Sequence, residues 1–247
     1  MLKAARVSIF AGLACLSALG AAGRSQEPGS FGGVQSFGFS SSYSPTSTHI
    51  LIGDAEHRRV FTLGAEYTRL LRQRPRFRLD YEASVMPLYE ETDPTVIGAV
   101  FTLDGTQIVT TSQTPVRVIY VTNAPIGIAA TGKNTTAPIY AVYGREDTYA
   151  AAVTPLGARI SAFPRRRFRP SFSLDLGFVV SRQDIPIDQS DRFNYLFSFG
   201  PGLEFFTCNK TSWRVEYIYR HMSNAGQGDQ NPGVDQGVVR VTISLHR

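Results

Sequence analysis

The segment "FRPSFSLDLGFVV" sets the tightest limit on what this chain can fold into. Phe168, Pro170, Phe172, Leu174, Leu176, Phe178 and Val180 take alternate positions, and Arg169, Ser171, Ser173, Asp175 and Gly177 lie between them. A period of two is strand periodicity. The pattern recurs in "RVFTLGAEYTRLL", where Phe61, Leu63, Ala65 and Tyr67 oppose Thr62, Gly64, Glu66 and Thr68. It recurs again in "RFRLDYEASV", with Phe77, Leu79, Tyr81, Ala83 and Val85 against Arg76, Arg78, Asp80, Glu82 and Ser84. "SWRVEYIYRHMS" sets Trp213, Val215, Tyr217 and Tyr219 against Arg214, Glu216, Ile218 and Arg220, and "GVVRVTISL" closes the chain in the same way. "GGVQSFGFSSSYSPTS" reads as a first strand followed by a serine-rich turn.

Two architectures bury one face of such strands. A soluble sandwich wets its polar face and buries the apolar one. A small membrane barrel turns the apolar face to lipid and fills its interior with polar side chains. Periodicity by itself leaves both open. No run beyond the N-terminus reaches the roughly 18 apolar residues of a helical span. Strands of about ten residues and aromatic-rich apolar faces favour the barrel.

Export points the same way. Lys3 and Arg6 precede the apolar run "VSIFAGLACLSALGAA", and small residues continue to Gly23. This is a secretory leader over 1–23, ahead of a single domain over 24–247. Cys15 is a poor lipoprotein site. Removal of Lys3 and Arg6 lowers the formal charge from +5 to a mild +3. Cys208 is the one cysteine of the mature chain, so no intrachain disulfide staples it. Residues 89–165 read as shorter strands or hairpins, with a turn at Asp104-Gly105 and a loop in "NAPIGIAATGKNTTAP"; "AAAVTPLGARISAF" is ambiguous between helix and strand. A loop is expected at 181–192.

The residues with chemistry sit in "RHMSNAGQGDQNPGVD". His221 and Ser223 are two apart, so they share a strand face with Trp213, Val215, Tyr217 and Tyr219, which points outward in a barrel. Asp235 has the parity of Val239, Val241, Ile243 and Leu245. The loop from Asn224 to Val234 is long enough to pair the two strands, so the three groups would converge at one hairpin mouth. A serine hydroxyl is a weak nucleophile until a base takes its proton. Histidine is such a base near neutral pH, and a carboxylate on its other nitrogen fixes the tautomer. Asn224 and Gly226 are the candidate oxyanion donors. From spacing alone His-x-Ser is a weak motif, and a polar strand rim with a turn at Asn231-Pro232-Gly233 accounts for the same residues.

Nothing else competes. His49 and His57 lie in a polar connection near "ILIGDAEHRR", and His246 is near the terminus. No spacing suits a metal, so neither metal nor cofactor is expected. "PRRRFR" at 164–169 is more simply a charged strand flank than a site for anionic headgroups, and nucleic-acid binding is not expected.

"HMSNAGQGDQNPGVD" resembles the signature of the PagL-like outer-membrane lipid A 3-O-deacylases, an acyloxyacyl hydrolase family. The resemblance implies an eight-stranded antiparallel transmembrane β-barrel with its active site on the lipid-facing exterior. It implies a serine esterase of the outer membrane of a diderm bacterium, with His221, Ser223 and Asp235 as the catalytic triad. Asn224 falls at the oxyanion position and Asn231 at the later loop asparagine. Lipid A or lipopolysaccharide is then the partner, within membrane lipid, and a homodimer is left open. The family usually carries glutamate where this chain has Asp235. The region 95–150 is longer than a minimal barrel needs. A non-enzymatic barrel that binds or stabilises surface components is the alternative.

Overall fold

The computed structural model describes residues 31–101, 117–118 and 139–247. The expected leader, the Asp104-Gly105 turn and the "NAPIGIAATGKNTTAP" loop lie outside them. Among the described residues there are nine strands: β1 (Gln35–Ser44), β2 (Arg59–Gln73), β3 (Phe77–Phe101), β4 (Arg117–Val118), β5 (Ile139–Ala162), β6 (Phe168–Ile185), β7 (Asp191–Cys208), β8 (Thr211–Ser223) and β9 (Val234–His246). All except β4 form an antiparallel meander that closes on itself. β1 pairs with both β2 and β9, and β2 pairs with β3. The fold is an all-β, eight-stranded closed barrel. The two-residue β4 only adds a short parallel pairing to β3 outside that ring.

Closure settles which face is which. The charged positions point inward: Glu66, Asp80, Glu82, Asp175, Glu204, Arg214, Glu216 and Arg240 are buried. The aromatic and aliphatic positions point out, with Phe37, Phe172, Leu174, Val215, Tyr217 and Leu245 all exposed. This inside-out arrangement is that of a transmembrane barrel, whose exterior meets lipid and whose interior is polar. Buried charges must be paired to be tolerated. Arg214 reaches Glu66 at 2.5 Å, Glu82 at 3.0 Å and Glu216 at 3.1 Å. Arg240 joins Glu216 at 2.6 Å to Asp175 at 3.0 Å.

The serines of "SSSYS" belong to β1 rather than to a turn. Ser40, Ser42 and Ser44 fit a lumen already crowded with long side chains; Ser42 pairs with Thr62 of β2 at 2.7 Å, as Ser36 earlier in β1 pairs with Thr68 at 2.5 Å. "AAAVTPLGARISAF" is strand, part of the 24-residue β5. The loop expected at 181–192 shrinks to 186–190, because β6 continues to Ile185 with a register shift that absorbs the irregularity. β3 and β5 stay paired out to Phe101 and Ile139, so the long middle region begins as an extension of one hairpin.

Toward one end the lumen carries an apolar layer. Val60, Met86, Tyr89, Val179, Ile185, Leu196, Met222 and Val234 form a buried cluster behind the β8–β9 loop. That cluster gives the ends of β8 and β9 a packed backing.

Candidate active site

The end of β8 alternates across the barrel wall. Met222 is buried in the apolar cluster, with its sulfur 3.8 Å from the Tyr89 hydroxyl. Its neighbours His221 and Ser223 therefore both face outward. In the β8–β9 register His221 lies directly opposite Asp235. Their side chains meet, His221 Nδ1 to Asp235 Oδ1, at 2.6 Å. The Tyr219 hydroxyl, one position down the same face, donates to the same oxygen at 2.8 Å.

The second carboxylate oxygen is held from an unexpected direction. The β1–β2 connection, residues 45–58, folds over it, and the backbone N–H groups of Ile50, Leu51 and Ile52 donate to Oδ2 at 3.3, 2.6 and 2.9 Å. Every one of these contacts requires an acceptor, so Asp235 serves as a carboxylate and Nδ1 of His221 carries the proton. In the neutral ring this tautomer leaves the lone pair on Nε2. Asp235 is fully buried although its strand position is an outward one.

Two glycines make room. Gly53 lies against Asp235, and a methyl there would sit 2.6 Å from its backbone nitrogen and 2.8 Å from Oδ1. Gly233 has φ +62, and a methyl there would press on His221 Cε1 at 3.0 Å.

Ser223 is placed beside this pair but is bonded elsewhere. Its hydroxyl donates to Asn231 Oδ1 at 3.1 Å, and its Oγ accepts the Ala225 N–H at 3.1 Å. Among the described residues no hydrogen bond joins Ser223 to His221. Asn224 is buried; its side-chain amide donates to Gln230 O at 2.8 Å and its Oδ1 accepts the Gly226 N–H at 2.8 Å. Ala225 and Gly226 both have positive φ, at 54° and 78°, which turns the chain sharply after the serine. The loop is braced by its neighbour, where Gln230 N–H donates to Gln189 O at 2.9 Å and Gly228 packs on Ser190 O.

So His221 and Asp235 are brought together, Ser223 stands two residues on, and Asn224, Gly226 and Asn231 form the turn that holds Ser223. No group of metal-ligating side chains occurs among the described residues. Two contributors escaped the sequence pattern. Tyr219 reads as one more apolar-face aromatic. The "ILIG" loop acts through its backbone, and its one visible signal is a run of three aliphatic residues inside a polar connection.

The family model described as lipid A 3-O-deacylase (PagL) matches residues 126–244, a stretch that includes His221, Ser223 and Asp235. Over this stretch, just under half of the chain, the sequence is similar to that family. Comparison with curated proteins gives no match. Among solved structures, the outer membrane enzyme PagL is similar at 13% identity and a TM-score of 0.48, over 85% of this chain and 99% of that one. Neisserial surface protein A is similar at 8% identity and a TM-score of 0.40, over 86% and 97%. The similarity to this family supports a hydrolase-type enzyme. The closed barrel, apolar outside and polar within, has the build of an outer-membrane protein.

Proposed function

We propose that the chain is a serine esterase that removes an ester-linked acyl chain from lipid A or a related acylated lipid, at the 3-O position named in the family's description. The observation that carries this reading is the 2.6 Å contact between His221 Nδ1 and Asp235 Oδ1 on the lipid-facing wall, with Ser223 two residues along the same face.

In this mechanism the Ser223 side chain rotates from Asn231 toward His221. Nε2 takes the hydroxyl proton as Oγ attacks the ester carbonyl. Asp235 holds the ring in the required tautomer and stabilises the imidazolium that forms. The negative charge on the carbonyl oxygen falls beside the turn after Ser223, where the Ala225 N–H, released as the serine turns, and the second hydrogen of the Asn224 amide supply donors, while the Gly226 N–H stays with Asn224 Oδ1 and shapes the turn. Collapse of the tetrahedral intermediate breaks the ester bond. His221 returns its proton to the departing sugar hydroxyl, leaving an acyl group on Ser223. A water molecule, deprotonated by His221, releases the fatty acid and restores the serine. The exterior site suits the substrate: the ester reaches the serine without leaving the bilayer. No step calls for a cofactor. A leader over 1–23, removed on export, belongs to the same proposal.

The experiment is incubation of the purified, detergent-folded barrel with lipid A, followed by mass spectrometry. Loss of one hydroxyacyl chain by wild type and not by Ser223→Ala supports the reading. No mass loss under conditions where a known deacylase acts rejects it in favour of a non-enzymatic barrel. The bond between Ser223 and Asn231 is the observation that favours that second reading.

A further inference from the structure

We propose that the β1–β2 loop, through the backbone amides of Ile50, Leu51 and Ile52, is the positioning element of the hydrolytic site, fixing the Asp235 carboxylate so that its other oxygen serves His221. The inference rests on the serine-esterase reading above and assigns a role to a segment outside the triad hairpin.

A carboxylate on the lipid-facing wall of a barrel is a costly group. It has no water shell there, so its oxygens must find donors in the protein. His221 and Tyr219 satisfy Oδ1. Oδ2 is left for the loop, and the three consecutive amides converge on it. Convergent amides of this kind make an anion cradle.

The loop is fastened on both sides of the cradle. Thr48 N–H donates to the Asp235 carbonyl at 3.2 Å, Asp54 N–H to Pro232 O at 2.7 Å and Ala55 N–H to Gly233 O at 3.0 Å. At its base the Ser47 hydroxyl bridges Ala55 O at 2.7 Å and Arg58 N–H at 3.0 Å. The loop is therefore zipped to the β8–β9 hairpin rather than resting on it.

The side chains play no part in the cradle. Ile50, Leu51 and Ile52 are 43%, 57% and 65% exposed. Only their N–H groups meet Asp235, which makes amide and side chain separable by mutation.

The test uses the whole mature barrel folded in detergent micelles. Leu51→Pro deletes the 2.6 Å donor. Gly53→Ala leaves all amides in place but sets a methyl against Asp235. Leu51→Ala restores the amide and is the rescue variant. Folding of each is checked by its heat-dependent gel migration.

The two damaging variants should lower kcat for lipid A on the order of 100-fold with little change in KM. Leu51→Ala should return to within about threefold of wild type, since it keeps the hydrogen bond. In an Asp235→Ala background, Leu51→Pro should cost less than about threefold, because coupled residues are not additive.

A second readout does not depend on turnover. The short Nδ1–H···Oδ1 bond should give a low-field proton resonance, absent in Asp235→Ala and lost or moved upfield in Leu51→Pro and Gly53→Ala. Equal losses of kcat in both backgrounds, or an unmoved resonance, overturn the proposal. If wild type is as inactive as Ser223→Ala, the esterase reading falls, and the resonance alone decides whether the loop positions Asp235.

Discussion

His221 and Asp235 are direct cross-strand partners whose side chains meet at 2.6 Å, and the far oxygen of the same carboxylate is pinned by three backbone amides. This makes Asp235→Asn unusually informative. The pinning amides donate, so the carboxamide oxygen takes the Oδ2 position. The NH₂ group is then turned toward Nδ1, which must accept. The proton moves to Nε2, and His221 loses the lone pair that would take the serine proton. The expected result is a fall in kcat on the order of 10⁴-fold with the barrel intact. Turnover by mass spectrometry and gel migration of the folded form check the two halves. An unchanged rate would remove Asp235 from the mechanism.

Tyr219 shares Oδ1 with the histidine, its hydroxyl 2.8 Å away. Tyr219→Phe keeps the ring against lipid and removes only that donor. A hydrogen bond to a charged group contributes about 1.5–3 kcal/mol. Part of that loss should appear as poorer holding of Asp235, and kcat should drop about tenfold while KM is held. A rise in KM instead would mean that the hydroxyl meets substrate.

Gly233 is required by both backbone and space. Its φ of +62 is disfavoured for an L side chain, and a methyl would crowd His221 Cε1. The strain costs roughly 1–2 kcal/mol. Displacement of the imidazole costs more in rate than in stability. Gly233→Ala should therefore fold, unfold at a slightly lower urea concentration, and lose on the order of 100-fold in kcat. Gly226, which also has positive φ but open space around its Cβ position, gives the contrast. Gly226→Ala carries the backbone strain alone and should shift the urea midpoint as far as Gly233→Ala does. Unequal midpoints would show that crowding, rather than the positive φ, sets the stability loss.

Much of this was legible in the residues. Strict alternation places Phe172 outside and Asp175 inside once the sheet is known to close, and parity places His221, Ser223 and Asp235 on one outer face. Closure itself is not in the pattern, because a sandwich and a barrel ask for the same alternation. The end of β6 runs past the expected start of the loop because Ser181 looks like a loop residue, yet it is buried and bonded to Gln183 O and Arg192 O at the strands' irregular ends. The loop over Asp235 was illegible for a different reason. Its contribution is three N–H groups, which every residue except proline carries, and no side-chain pattern encodes where a backbone donor will point.

The interior charges carry the last prediction. Arg214 stands among Glu66, Glu82 and Glu216 and is buried with all three. Arg214→Met fills similar space but strips Glu66 of its paired cation, while Glu82 keeps Arg159 and Glu216 keeps Arg240. Breaking a buried ionic group from one side costs about 3–5 kcal/mol. The variant should unfold at markedly lower urea in vesicles. Adding Glu66→Gln should recover part of the loss, since it removes the stranded charge. Arg214 sits seven residues down β8 from His221 and faces the lumen, so lipid A turnover by the folded fraction should match wild type. A variant as stable as wild type would mean that the lumen is wet enough to screen these carboxylates, and the ion pairs would then contribute little to holding the barrel closed.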